Sequence, residues 1–126
     1  MRAGTVEQRN KMVNDILVLD RALALSRVGG DEDLLREIAE LFLDDYPQLV
    51  EKIKQALAAN DPRGLERASH SLKGSVANFG ADPAYQAALE LERIGRSNDM
   101  SHAPAAYHRL EQSLNSLQPE LADLAK

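Results

Sequence analysis

Cysteine and tryptophan are absent from this 126-residue chain, and its aromatic residues are confined to two Phe and three Tyr. Without cysteine there is neither a disulfide framework nor a thiolate metal site, which suits a reducing, cytoplasmic setting. No stretch reaches the roughly 18 consecutive apolar residues of a transmembrane helix, so no membrane contact is expected. A basic segment followed by an apolar one is also missing at the N-terminus, so secretion is not expected. Positive charge is in short supply. The net charge of -5 excludes nucleic acid as the main partner, because phosphate backbones require a basic footprint. Period-two alternation of useful length is not found either. What remains is a chain whose apolar content is Leu and Ala, the composition of helices.

The periodicity agrees. Residues 1–16 are polar and aperiodic, and are expected as a flexible N-terminal tail before one domain at 17–126. A short apolar segment from Leu17 to Val28 ends at Gly29-Gly30 and predicts a short helix, placed across one end of the fold. Asp31 is the expected N-cap of the next helix, with Glu32 and Asp33 at the positive end of its dipole. Its apolar period passes straight through Pro47, which predicts one long kinked helix or two abutting helices sharing a stripe. Asp61-Pro62 then supplies a cap and a proline start for a helix carrying Leu65, Ala68, Leu72, Val76 and Phe79, closed by Gly80. Asp82-Pro83 repeats the device before Ala84, Ala87, Ala88, Leu91 and Ile94, and Gly95–Asp99 reads as a loop. Ser101 is the expected cap of a last helix whose stripe, Tyr107 to Leu124, continues through Pro119. Four amphipathic helices on short loops predict an all-α antiparallel four-helix bundle, with the short helix as an N-terminal extra.

One residue does not belong to this core. His70 lies about 160° round its helix from Leu72, the centre of the apolar stripe, and is therefore expected to be exposed. A neutral imidazole has one free nitrogen near neutral pH and can act as a nucleophile. Lys73, at i+3, is within reach of anything attached to that ring. Gly74, at i+4, costs about 0.8–1.0 kcal/mol relative to alanine inside a helix, so a reason for it is expected. Clearance is one reason, since a residue without a Cβ lets a partner approach the imidazole. Helix packing is another.

Written out, the stretch is His70-Ser71-Leu72-Lys73-Gly74-Ser75-Val76-Ala77-Asn78-Phe79-Gly80-Ala81. It closely resembles the signature of histidine-containing phosphotransfer (HPt) domains, His-x-Leu-Lys-Gly-Ser followed by Gly-Ala. Gly29-Gly30-Asp31, Leu34-Leu35, Phe42 and Pro47 resemble the family's upstream helix, and Ala88 with Leu91-Glu92 resembles its downstream one. The resemblance implies a bundle in which His70 takes and gives a phosphoryl group through Nε2. It implies that receiver domains of response regulators, or of a hybrid histidine kinase, are the partners. They would supply the Mg²⁺ and the catalytic groups, so this chain needs no cofactor and is a carrier, not an enzyme. Lys73 matches the lysine beside the phosphohistidine, and Gly74 the glycine that leaves room for the receiver. In related chemotaxis-kinase domains a glutamate accepts the Nδ1 proton, and Glu92 holds that position here. Arg67, Ser71, Lys73, Gly74, Ala77 and Asn78, on the outer side around His70, are the expected docking residues. Ala84 and Tyr85 depart from the family pattern, where a leucine is common. The chain is expected as a cytoplasmic monomer, or as the cytoplasmic end of a membrane-anchored hybrid kinase.

Rival readings are weaker. A complete histidine kinase needs an ATP-binding domain with Asn-rich and Gly-rich boxes, and none is present. A bundle metal site needs paired Glu-x-x-His motifs, whereas His102 and His108 read as plain surface. A degenerate HPt-like adaptor without phosphotransfer is opposed by the intact His70, Lys73 and Gly74.

Overall fold

A computed structural model describes residues 16–126 together with Met12 and Val13. The expected tail thus falls mostly outside the described residues. At its end Met12–Val13 (β1) pairs antiparallel with Ile16–Leu17 (β2), Met12 opposite Leu17 and Val13 opposite Ile16. The described helices are α1 (Arg21–Arg27), α2 (Glu32–Ala58), α3 (Pro62–Ala77), α4 (Asp82–Ser97) and α5 (Ala103–Leu124), with a 3-10 turn at Met100–His102 before the last. Helices α2 to α5 form the four-helix bundle: α3 packs on α2 and most extensively on α4, and α5 closes the ring against α4 and α2.

The caps explain most of the boundaries. Asp20, Asp31 and Asp61 each accept a hydrogen bond at 3.0 Å from a backbone N–H three residues on, satisfying an orphan donor at the start of α1, α2 and α3. Leu17 to Asp20 are therefore outside α1, which starts later than the apolar run. Helix α2 is continuous through Pro47, which lies on its exposed side, and α5 is continuous through Pro119. After α3, the Gly80 N–H bonds to the Ala77 carbonyl and the Ala81 N–H to that of Val76, at 3.2 and 3.4 Å, in the pattern of a Schellman motif. Gly80 sits at φ +59°, and a Cβ there would meet Asp20 Cβ at 2.7 Å. The Asp20 N–H donates to the Phe79 carbonyl at 3.0 Å, so α1 begins against the α3–α4 turn and closes that end of the bundle.

Three local expectations are corrected. Asp82 is the first residue of α4, not its cap. The N-cap is the buried Ala81, which makes no side-chain cap bond, and Asp82 acts instead as an acid at the positive end of the dipole. Ser101 does not cap α5: it lies in the 3-10 turn, where Asp99 accepts from its N–H and its hydroxyl at 3.1 and 2.8 Å. Those bonds hold the Asp99 carboxyl below its ordinary range. Finally, Gly95 to Ser97 are helical, because α4 runs on to an Asn98 cap at φ 65°. Gly95 is in fact buried, facing α3.

The core lies between the four long helices. Leu65, Leu72 and Val76 of α3, Leu91 of α4, Leu110, Leu117 and Leu121 of α5, and Phe79 after α3 are all buried. Phe42 stacks on Tyr46 at 5.2 Å and tilts against Phe79 at 5.6 Å between centroids. Ala84 is buried and Tyr85 packs against the core from its edge, so the departure from the family leucine is accommodated.

Candidate functional site

The α3–α4 hairpin builds the site. In an antiparallel helix pair, residues equidistant in sequence from the turn stand level with each other. His70 and Glu92 are equidistant from Ala81, and so are Glu66 and Arg96. Both pairs share one small cluster. Close approach of the helices is what allows this: a Cβ on Gly95 would lie 2.6 Å from the Pro62 carbonyl oxygen and 2.7 Å from the Glu66 nitrogen.

The His70 side chain is 67% exposed, as its position opposite the apolar stripe requires, while Glu92 beneath it is only 3% exposed. His70 Nδ1 lies 2.7 Å from Glu92 Oε2. With Nδ1 as the donor to this carboxylate, Nε2 is left with its lone pair and faces away. Lys73 Nζ stands 2.7 Å from the other oxygen, Oε1, as a short ion pair. Arg96 Nη2 donates to Oε2 at 3.1 Å, and its Nε donates to Glu66 Oε2 at 3.0 Å. Burial disfavours the Glu92 carboxylate, but hydrogen bonds from Lys73 and His70 and the charges of both outweigh it, and the carboxyl is held below its ordinary value. A buried carboxylate with one cation would be costly to maintain; this one is met by three donors.

The resemblance set Glu92 at the position of a glutamate that accepts the Nδ1 proton; the structure buries it and brings it to His70. Lys73 was expected near whatever the imidazole carries, and its ammonium is engaged with Glu92 instead. Gly74 is open, with nothing within 4 Å of an added Cβ. Arg67, Ser71, Gly74 and Asn78 are exposed and Ala77 is half-buried, so most of the expected docking face around His70 is open among the described residues. Arg96, Glu66 and Gly95 were missed. The spacing held the signal: Arg96 is four residues after Glu92, Glu66 four before His70, and Gly95 continues the stripe of Ala84, Ala88 and Leu91.

His102 is exposed in the 3-10 turn, and His108 is exposed with Nδ1 3.9 Å from Glu111 Oε1. Among the described residues no group of three His, Cys, Asp or Glu could hold a metal ion. No described helix is long and apolar enough to cross a membrane.

Comparison with known proteins places these features. The family described as Hpt domain matches residues 37–120. The chain is 35% identical over 79 residues to the signal transduction histidine-protein kinase BarA of Shigella flexneri, covering 63% of this chain and 9% of that protein. BarA of Escherichia coli K12 is 34% identical over the same extent. The chain thus spans a small part, 9%, of the curated relatives it matches. Among solved structures, histidine-containing phosphotransfer protein B (HptB) from Pseudomonas aeruginosa PAO1 superposes with a TM-score of 0.78 at 25% identity, covering 84% of this chain and 92% of that one.

Proposed function

The chain belongs to the Hpt domain family, whose members carry phosphoryl groups in phosphorelays, and from that premise we propose that His70 is the residue that carries it. The observation behind this reading is the exposed imidazole whose Nδ1 is 2.7 Å from a buried carboxylate. Nε2 attacks the phosphorus of an aspartyl phosphate on a receiver domain. The N–P bond forms as the P–O bond breaks, and the aspartate leaves as a carboxylate. Because the Nδ1 proton stays in place, the phosphorylated ring carries positive charge, which the Glu92 carboxylate offsets. The reverse sequence delivers the group to a second receiver aspartate.

Phosphoryl transfer demands positioning and charge stabilisation more than covalent help. This domain supplies one oriented nucleophile on a rigid helix, and the receiver brings the Mg²⁺ and the remaining catalytic groups. Lys73 is close enough to His70 to turn from Glu92 toward a phosphoryl oxygen. Arg67, Ser71, Gly74, Ala77 and Asn78 form the docking surface for the receiver, and the domain acts as a monomer in the cytoplasm. Incubation with a phosphorylated receiver or a small phosphodonor tests this. Acid-labile phosphate is expected on the wild type and absent from His70→Gln; wild-type protein that acquires none would remove the carrier reading.

A further inference from the structure

An orienting carboxylate has a drawback for a nucleophilic histidine. Placed 2.7 Å from Nδ1, Glu92 fixes the ring, but an adjacent negative charge also favours the imidazolium form. Imidazolium has no lone pair on Nε2. An unbalanced Glu92 would therefore disable the nucleophile that it orients. Resting on the reading of His70 as the phosphoryl acceptor, we propose that Arg96 is a positioning residue that lets Glu92 orient His70 without charging it.

The arrangement carries the argument. Arg96 reaches the same oxygen, Oε2, that holds His70, so its positive charge is set where the carboxylate acts on the ring. Glu66 holds the guanidinium from the opposite helix at 3.0 Å, one turn before His70. Arg96 thereby bridges α3 and α4, with its side chain 60% exposed and tied to a carboxylate on each helix. Among the described residues the charged groups meeting Glu92 come from these two helices: His70 and Lys73 from α3, Arg96 from α4, with Glu66 behind Arg96. Lys73 also balances the carboxylate, but it stands three residues from His70 and is the group that an incoming phosphoryl would attract. Arg96 stays on Glu92 when Lys73 turns away, so the balance persists through the transfer. A fork-shaped guanidinium suits this task, because it can serve two carboxylates at once.

The test is made on the unphosphorylated domain, so that it reads separately from phosphotransfer. In ¹⁵N NMR of the His70 ring near neutral pH, Arg96→Gln is expected to raise the ratio of imidazolium to neutral imidazole about threefold, the change equivalent to about half a pH unit once solvent screening is allowed for. Arg96→Lys, which keeps the charge, is expected to remain close to wild type. The pH–rate profile of phosphoryl acceptance from a phosphorylated receiver should move alkaline by about the same half unit in Arg96→Gln, with the rate recovering at high pH. Melting curves establish that each variant is folded. An unchanged imidazolium fraction in folded Arg96→Gln would overturn the proposal, as would slowing that persists equally at every pH. Failure of the wild type to take up phosphate would instead remove the carrier reading and leave the ring measurement standing.

Discussion

Gly74 and Gly95 are both glycines inside helices, they flank the same ionic cluster, and their surroundings are opposite. Each forgoes about 1 kcal/mol of helix stability relative to alanine. A Cβ on Gly95 would collide with backbone of the facing helix, 2.6 Å from the Pro62 oxygen, whereas one on Gly74 would meet nothing within 4 Å. Gly95 therefore has its reason inside the molecule. It lets α4 approach α3 closely enough for Glu92 and Arg96 to reach residues of the other helix. Gly74 has no internal reason, and the open space it leaves borders the exposed imidazole. A helix glycine that nothing in the fold requires points to something that arrives from outside.

The comparison can be broken at either end. The largest effect is expected from Gly95→Ala, where the new methyl meets helix backbone: a loss of about 2–3 kcal/mol in urea or thermal unfolding, even after the gain in helix propensity. An unchanged midpoint would show that the helix approach is not tight there. Next comes Glu92→Ala, which removes the carboxylate 2.7 Å from His70 Nδ1 and leaves Lys73 without its partner. Transfer from a phosphorylated receiver should slow roughly tenfold while circular dichroism stays helical, and unchanged kinetics would reduce Glu92 to a structural anion.

Gly74→Ala should behave in the opposite sense to Gly95→Ala. It is expected to stabilise the fold by up to about 1 kcal/mol. It should also slow transfer from a receiver more than from a small phosphodonor, because only the receiver needs the clearance. Equal slowing with both donors would argue against docking over Gly74. The smallest effect concerns acid stability. Glu92 is held below its ordinary value of 4.5 in the folded state, so its stabilising contribution is present above that value and is lost as pH falls through the folded-state one. Urea titrations should show the wild type losing, below about pH 4.5, stability that Glu92→Gln does not lose.

The four long helices were legible because Leu and Ala recur at helical spacing and because Asp31 and Asp61 announce their starts. The exposure of His70 followed from the same periodicity. Less legible were features set by a neighbouring helix. Gly95 looked like a loop signal because glycine usually breaks helices, and only the close backbone of Pro62 and Glu66 shows why it is tolerated within one. Asp82 looked like a cap because its sequence repeats Asp61-Pro62, yet the buried Ala81 takes the cap position. Glu92 could be placed on its helix but not buried by pattern alone, since burial of a carboxylate depends on the cations around it. Arg96 was hidden by the apparent loop at Gly95–Asp99, although its spacing of four residues from Glu92 carried a signal.

The most direct test of the account is to identify the nitrogen that carries phosphorus. The domain, labelled with ¹⁵N in histidine, is phosphorylated by a receiver and examined by NMR for coupling between phosphorus and ring nitrogen. The account predicts phosphorus on Nε2 of His70 with the proton retained on Nδ1. Phosphorus on Nδ1, or on any residue other than His70, would contradict it.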